Sequence, residues 1–189
     1  ETLRELDPDI HVVVNNVGIA YPDGKPTCFG DIPNLDQFCT DMINVNIMSC
    51  TRLTALVLPA MVFNGQGVII NVSSVAAITL MPLMSQYSAT KAYMDYFSRA
   101  LATKYNDRGI IVQCVLPNVV STKMIPQELH RKSYIPGARD YVRLAVRTVG
   151  VEGRTSVYPS YRYQQFLLDC VAILSIIIGV DLGPKVILY

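Results

Sequence analysis

Three short apolar runs constrain this chain more than any other feature. Ile10 to Asn15 reads I-H-V-V-V-N, Val68 to Val72 reads V-I-I-N-V, and Ile110 to Leu116 reads I-I-V-Q-C-V-L. Each is β-branched and nearly continuous, which fits a strand covered on both faces, as in a parallel sheet. The stretches between them carry apolar residues at helical spacing. One holds Leu35, Phe38, Met42, Val45, Met48 and Leu53; the other holds Ala89, Tyr93, Phe97, Ala100 and Leu101. Strands alternating with helices predict an α/β domain on a parallel sheet. We expect helices over 34–62, 85–108 and 139–149, strands over 10–15, 68–72 and 110–116, and a short last strand over 156–158. Pro22, Gly24, Pro26, Gly30 and Pro33 crowd residues 20–33 into a loop, and 123–137 reads as a mobile loop on the substrate side.

Chemistry collects after the strands, where open α/β sheets place their ligand crevice. Asn15-Asn16-Val17-Gly18 closes the first run, Ser73-Ser74 the second, and Pro117 to Thr122 follows the third. A plain Asn-Gly turn explains N-N-V-G equally well, and chemistry alone does not separate Ser73 from Ser74. Tyr87 and Lys91 stand four residues apart, on one face of the second helix. A phenol titrates near about pH 10, and an adjacent ammonium lowers that value. A Tyr so placed donates a proton to a carbonyl oxygen or takes one from an alcohol. Asn46 lies mid-helix, a position unfavourable to Asn unless its side chain has a task.

Tyr-x-x-x-Lys, spelled Y-S-A-T-K, with a Ser thirteen positions upstream in I-N-V-S-S, resembles the short-chain dehydrogenase/reductase family. Within it the spelling is similar to the branch of 17-beta-hydroxysteroid dehydrogenases and very-long-chain 3-oxoacyl-CoA reductases. The resemblance implies a Rossmann-like doubly wound parallel sheet. It also implies reduction of a ketone with NADP(H), NAD(H) being the alternative cofactor, and either a 3-oxoacyl-CoA or a steroid as substrate. The spacing selects Ser74, leaving Ser73 a supporting part. By the same resemblance the catalytic set is Asn46, Ser74, Tyr87 and Lys91. Asn46 would hold a water linking Lys91 to solvent, and Lys91 would depress the Tyr87 pKa. Asn15, Asn16, Gly18, Tyr87, Lys91, Pro117, Val120 and Thr122 would contact the cofactor. N-N-V-G has Val17 where Ala is commoner, and Asn118 stands where the family has Gly, although Thr122 keeps its place. The family also pairs the Tyr helix with its twin in a homodimer. A non-catalytic scaffold protein is the competing class, and retention of all four catalytic residues argues against it.

The 189 residues suit one domain, with 1–160 as the catalytic part and 161–189 as an apolar C-terminal segment. A net charge of +1 gives no electrostatic case for nucleic acid. Five Cys without a C-x-x-C pair and only two His argue against a disulfide scaffold or zinc site. Hydrophobic residues make up 51% and mean hydropathy is +0.31, apolar for a soluble chain. The run at 166–180 is shorter than the ~20 residues a membrane span needs, so an interfacial or buried segment is expected. The branch resembled is associated with the endoplasmic reticulum membrane; a cytoplasmic location is the alternative. The family's opening Gly-rich turn, G-x-x-x-G-x-G, is absent from this sequence. The resemblance therefore covers the catalytic half of the fold, with the first strand in the place of the family's fourth. An apolar edge there invites association, so the chain alone is expected to be unstable or inactive.

Overall fold

The structure, a computed structural model, describes residues 10–79, 81–125, 130, 135–158 and 163. The whole apolar run at 166–180 and parts of the 123–137 loop lie outside the described residues. Within them, four parallel strands lie in the order β1 (Val12–Asn15), β2 (Gly67–Val72), β3 (Ile110–Val115) and β4 (Arg154–Thr155). Val12, Val68 and Ile111 stand in one register row, and Asn15, Asn71 and Cys114 in another. The three apolar runs thus pair side by side as a parallel sheet, as their composition implies.

Helices α1 (Leu35–Ile43) and α2 (Ser49–Asn64) connect β1 to β2, and α3 (Ser85–Tyr105) connects β2 to β3. One continuous helix over 34–62 is expected, but a π turn at Asn44–Met48 interrupts it, and the Ser49 N–H reaches back to the Asn44 carbonyl. Such single π turns recur at functional sites, and this one contains Asn46. Helix α2 runs through Pro59 to Asn64. The stretch Leu35–Asn64 is long and apolar enough to cross a membrane by length and composition. Its inner side, however, carries sheet-facing core: Val57 and Met61 pack with Val13, Ile69, Ile110 and Val112. Leu101, Ala102 and Tyr105 of α3 close the same cluster.

On the opposite face α4 (Ala138–Val146) lies over the β3–β4 end, where Tyr141 packs with Val115 and Val157 and Ile70 of β2 leans on the same cluster. Gly109 is required where it stands: its φ is +73°, and a Cβ there would lie 2.0 Å from the Gly65 carbonyl oxygen.

Several boundaries differ from expectation for visible reasons. Residues 20–33 contain two short 3-10 turns, Pro22–Gly24 and Phe29–Asp31, in place of a plain loop. Helix α3 ends at Tyr105, and Asn106–Arg108 tightens into a 3-10 turn. The last strand is Arg154–Thr155, not 156–158. Val157 has a φ of +65°, and the Tyr158 N–H turns back to the Ser156 carbonyl, so extended pairing stops there.

Candidate active site

At the carboxyl ends of β2 and β3 the chain continues as two adjacent segments. Ser73 N–H donates to the Val115 carbonyl (2.8 Å) and Val75 N–H to that of Pro117 (2.9 Å). The Ser pair and the Pro117 loop are therefore held together by an extension of the sheet ladder. Ser74 begins a 3-10 turn over Val75–Ala77: its Oγ accepts from Ala76 N–H (3.2 Å) and donates to the Pro117 carbonyl (3.4 Å). Ser73 has the other task. Its buried hydroxyl donates to the main-chain carbonyl of Lys91 at 2.7 Å, fastening α3 to the end of β2.

The Tyr87 and Lys91 side chains share one face of α3, as their spacing requires, with the ammonium 5.6 Å from the phenol ring centroid. Tyr87 is buried among Tyr21, Ile32, Phe38, Met42 and Ala76. That burial pushes its pKa above the ordinary value, while a hydrogen bond with the Ser74 side chain pulls the other way. The expected depression of the phenol by Lys91 is thus replaced by a rise, because desolvation dominates. Lys91 is 5% exposed, and its Nζ donates to the Val72 carbonyl at 3.1 Å. Burial lowers its pKa to about 8, against opposing contributions from Cys114 and Cys50. Those thiols are themselves pushed up by burial, Cys50 to about 11 and Cys114 to about 12. At neutral pH they face the ammonium as dipoles, not as charges.

Asn46 is nearly inaccessible, and both ends of its amide are engaged. Oδ1 accepts from the Ile19 N–H at 2.8 Å, and Nδ2 donates to the Ile19 carbonyl (3.0 Å) and to Thr90 Oγ1 (3.0 Å). Thr90 in turn donates to the Tyr87 carbonyl at 2.8 Å. One amide therefore joins the loop after β1, the π turn and the helix turn that carries Tyr87. Asn15 has its amide inside the sheet: Nδ2 donates to Asn71 Oδ1 (2.7 Å) and Thr54 Oγ1 (3.3 Å), and Asn71 Nδ2 passes the chain on to Ser98 Oγ (2.8 Å). Asn71, the Asn of an Asn-Val-Ser sequon, is fully buried in this network.

Asn16 is exposed, Gly18 half-buried, and Pro117, Val120 and Thr122 half-buried along the neighbouring loop. Val120 leans on the Val115–Tyr141–Val157 cluster, and Thr122 Oγ1 accepts from the Met124 N–H at 3.3 Å. Sequence reasoning missed the bracing functions of Asn71 and Thr90. A polar Asn within an apolar strand was the available signal for the first; Thr90 sat inside Y-S-A-T-K without a chemical role of its own. The arrangement brings a protonated phenol, a hydroxyl and a buried ammonium to one crevice, the donor set needed to protonate an oxygen and hold a polyhydroxyl ligand beside it.

Known proteins resemble this chain in sequence and in fold. A short chain dehydrogenase of Sphingobium yanoikuyae, solved in complex with NADPH, superposes with a TM-score of 0.73 at 27% identity, over 92% of this chain and 67% of that one. The very-long-chain 3-oxoacyl-CoA reductase of Anas platyrhynchos is 47% identical over 149 residues, 78% of this chain and 46% of that protein. Reductase-A of the same name from Danio rerio is 40% identical over 176 residues, 92% of this chain and 54% of its own length. The chain spans about half the length of the curated relatives it matches. The profile of the short chain dehydrogenase family matches residues 1–132, and with the parallel sheet and the Ser74–Tyr87–Lys91 corner already in place, the chain belongs to that family.

Proposed function

We propose that the protein carrying this chain reduces the ketone of very-long-chain 3-oxoacyl-CoA with NADPH. The observation that carries the reading is the meeting of Ser74 with Tyr87 and of Tyr87 with Lys91 beyond the end of β2, in a chain 40–47% identical to reductases of that name. The residues fit a nicotinamide dinucleotide: an ammonium has three N–H donors, and Lys91 commits one to Val72. Two remain for the hydroxyls of a ribose. A bound nicotinamide dinucleotide supplies the hydride.

Tyr87 delivers the proton to the substrate oxygen. Its raised pKa suits reduction, since the phenol is fully protonated at neutral pH. Ser74 shares that oxygen and stabilises the charge growing on it. Lys91, with a pKa of about 8, is mostly charged at pH 7 and holds the ribose. Asn46, its amide engaged with Ile19 and Thr90, fixes the loop after β1 beside Lys91 and in that way supports the proton route from Lys91 to solvent. Asn16, Gly18, Pro117, Val120 and Thr122 line the dinucleotide side, and Asn15 keeps the end of β1 in place. Self-association through α3 belongs to the same reading: Tyr96 is 70% exposed there, beside a stacked Tyr93–Phe97 pair. So does attachment to the endoplasmic reticulum membrane through the run at 166–180, which suits an acyl substrate.

Tyr87→Phe in the intact protein tests the assignment. Reduction of a 3-oxoacyl-CoA falls by about 10²–10⁴-fold, while NADPH affinity measured by fluorescence stays within a few-fold. Unchanged turnover would sink the mechanism.

A further inference from the structure

Gly18 is a glycine for which the backbone gives no reason. The described glycines with left-handed φ are Gly24, Gly65, Gly109 and Gly150. At Gly18 the requirement is space, and it is specific. A Cβ there would lie 3.3 Å from Lys91 Nζ and 3.3 Å from Asn46 Oδ1, and beyond its chain neighbours no other atom lies within 4 Å. The bare Cα is therefore turned toward the buried ammonium and toward the amide that clamps Ile19, the next residue. A methyl group in that gap displaces Lys91 Nζ or covers the N–H donors that its bond to Val72 leaves over.

We infer that Gly18 is a positioning residue for Lys91, leaving between the ammonium and the Asn46 amide a gap too tight for even a methyl group. The inference rests on the proposed function and deepens it, since it assigns the glycine of N-N-V-G to the proton-transfer side of the site. The groups facing Lys91 are Tyr87 on its own helix, Cys50 on α2 and Cys114 on β3. Both thiols are neutral near pH 7, and the buried Asp95 carboxylate one turn along α3 is already paired with Arg154. Adding apolar bulk beside the ammonium disfavours its charged form.

The test is Gly18→Ala in the intact protein, with the ¹³Cε resonance of Lys91 titrated by NMR and assigned by its loss in Lys91→Met. The Lys91 midpoint is expected to fall by on the order of half a pH unit or more. An unmoved midpoint overturns the inference, and one accompanied by weaker NADPH binding assigns the glycine to the cofactor instead. If Gly18→Ala does not fold, Lys91→Ala is added to vacate the space. Recovery of the folded state in the double variant supports the inference, and continued unfolding overturns it. Both readouts are independent of turnover. A parent protein that reduces no ketone would sink the proposed function and leave this inference standing.

Discussion

The carboxyl end of β2 and the outer strand β1 come from the same kind of sequence, a β-branched run closed by small polar residues, and they finish in opposite conditions. At the end of β2, Asn71 and Ser73 are buried, and their polar atoms reach Asn15, Ser98 and the Lys91 carbonyl. Strand β1 pairs with β2 alone among the described residues, leaving Val12 57% and Val14 53% exposed on the face that α4 does not reach. Val13, between them, sits in the core under α2. The β-branched runs thus mark the strands, while the cover on each of their faces is decided by elements far away in sequence. Where cover is complete, polar side chains can be built in as braces, because burial strengthens every bond they make.

The sharpest break of this comparison is Asn71→Leu. It removes the acceptor for Asn15 Nδ2 and the donor to Ser98 in a site without solvent. A buried donor left without a partner costs about 1–3 kcal/mol, and with Ser98 also affected the loss should be about 3 kcal/mol in urea unfolding. A loss under about 1 kcal/mol, the net worth of one ordinary hydrogen bond, would show that the network is not a brace.

Next in size is Lys91. Its folded pKa, about 8, lies below its ordinary value of 10.5, so the unfolded chain binds the extra proton between those limits and stability rises with pH across that window. Below pH 8 the buried ammonium opposes folding by about 3 kcal/mol. Lys91→Met should therefore be the more stable chain at pH 7, with its advantage shrinking as pH rises from 8 toward 10.5. Tyr87 is common to both chains, so its raised pKa, which removes stability above about pH 10, cancels in the difference. Urea midpoints at pH 7, 8, 9 and 10 measure it, and a pH-independent difference refutes the assignment. Ser73→Ala is smaller still, about 1 kcal/mol for one hydroxyl bond. It should also lower kcat several-fold with KM little changed, because the turn carrying Lys91 loosens.

The sheet and the catalytic corner were legible for different reasons. Strand runs and helical spacing are local signals, so β1, β2, β3 and the helices were expected close to where they lie. Tyr87 and Lys91 were legible because four residues make about one helical turn. What the sequence hid was long-range. The Tyr87 pKa depends on burial among Tyr21, Phe38 and Met42 from another segment, which outweighs its neighbour Lys91. The π turn at Asn46 follows from its bonds to Ile19 and Thr90, and no spacing within 34–62 announces it. The end of β4 is set by the backbone of Val157, a β-branched residue where positive φ is least expected.

The smallest effect belongs to the exposed face of β1. Val14→Lys replaces a side chain that is 53% exposed and in register with Ile70. In this 189-residue chain the stability change should stay within about 0.5 kcal/mol, the usual range for a surface site. Concentration-dependent association should fall, because a charge on an edge strand opposes edge-to-edge pairing. Sedimentation of the two chains across a dilution series measures this. The same substitution at Val13, in the core cluster with Ile69 and Val112, should unfold the chain. Equal penalties at 13 and 14 would mean that both faces of β1 are covered, and the contrast between the two strands would collapse.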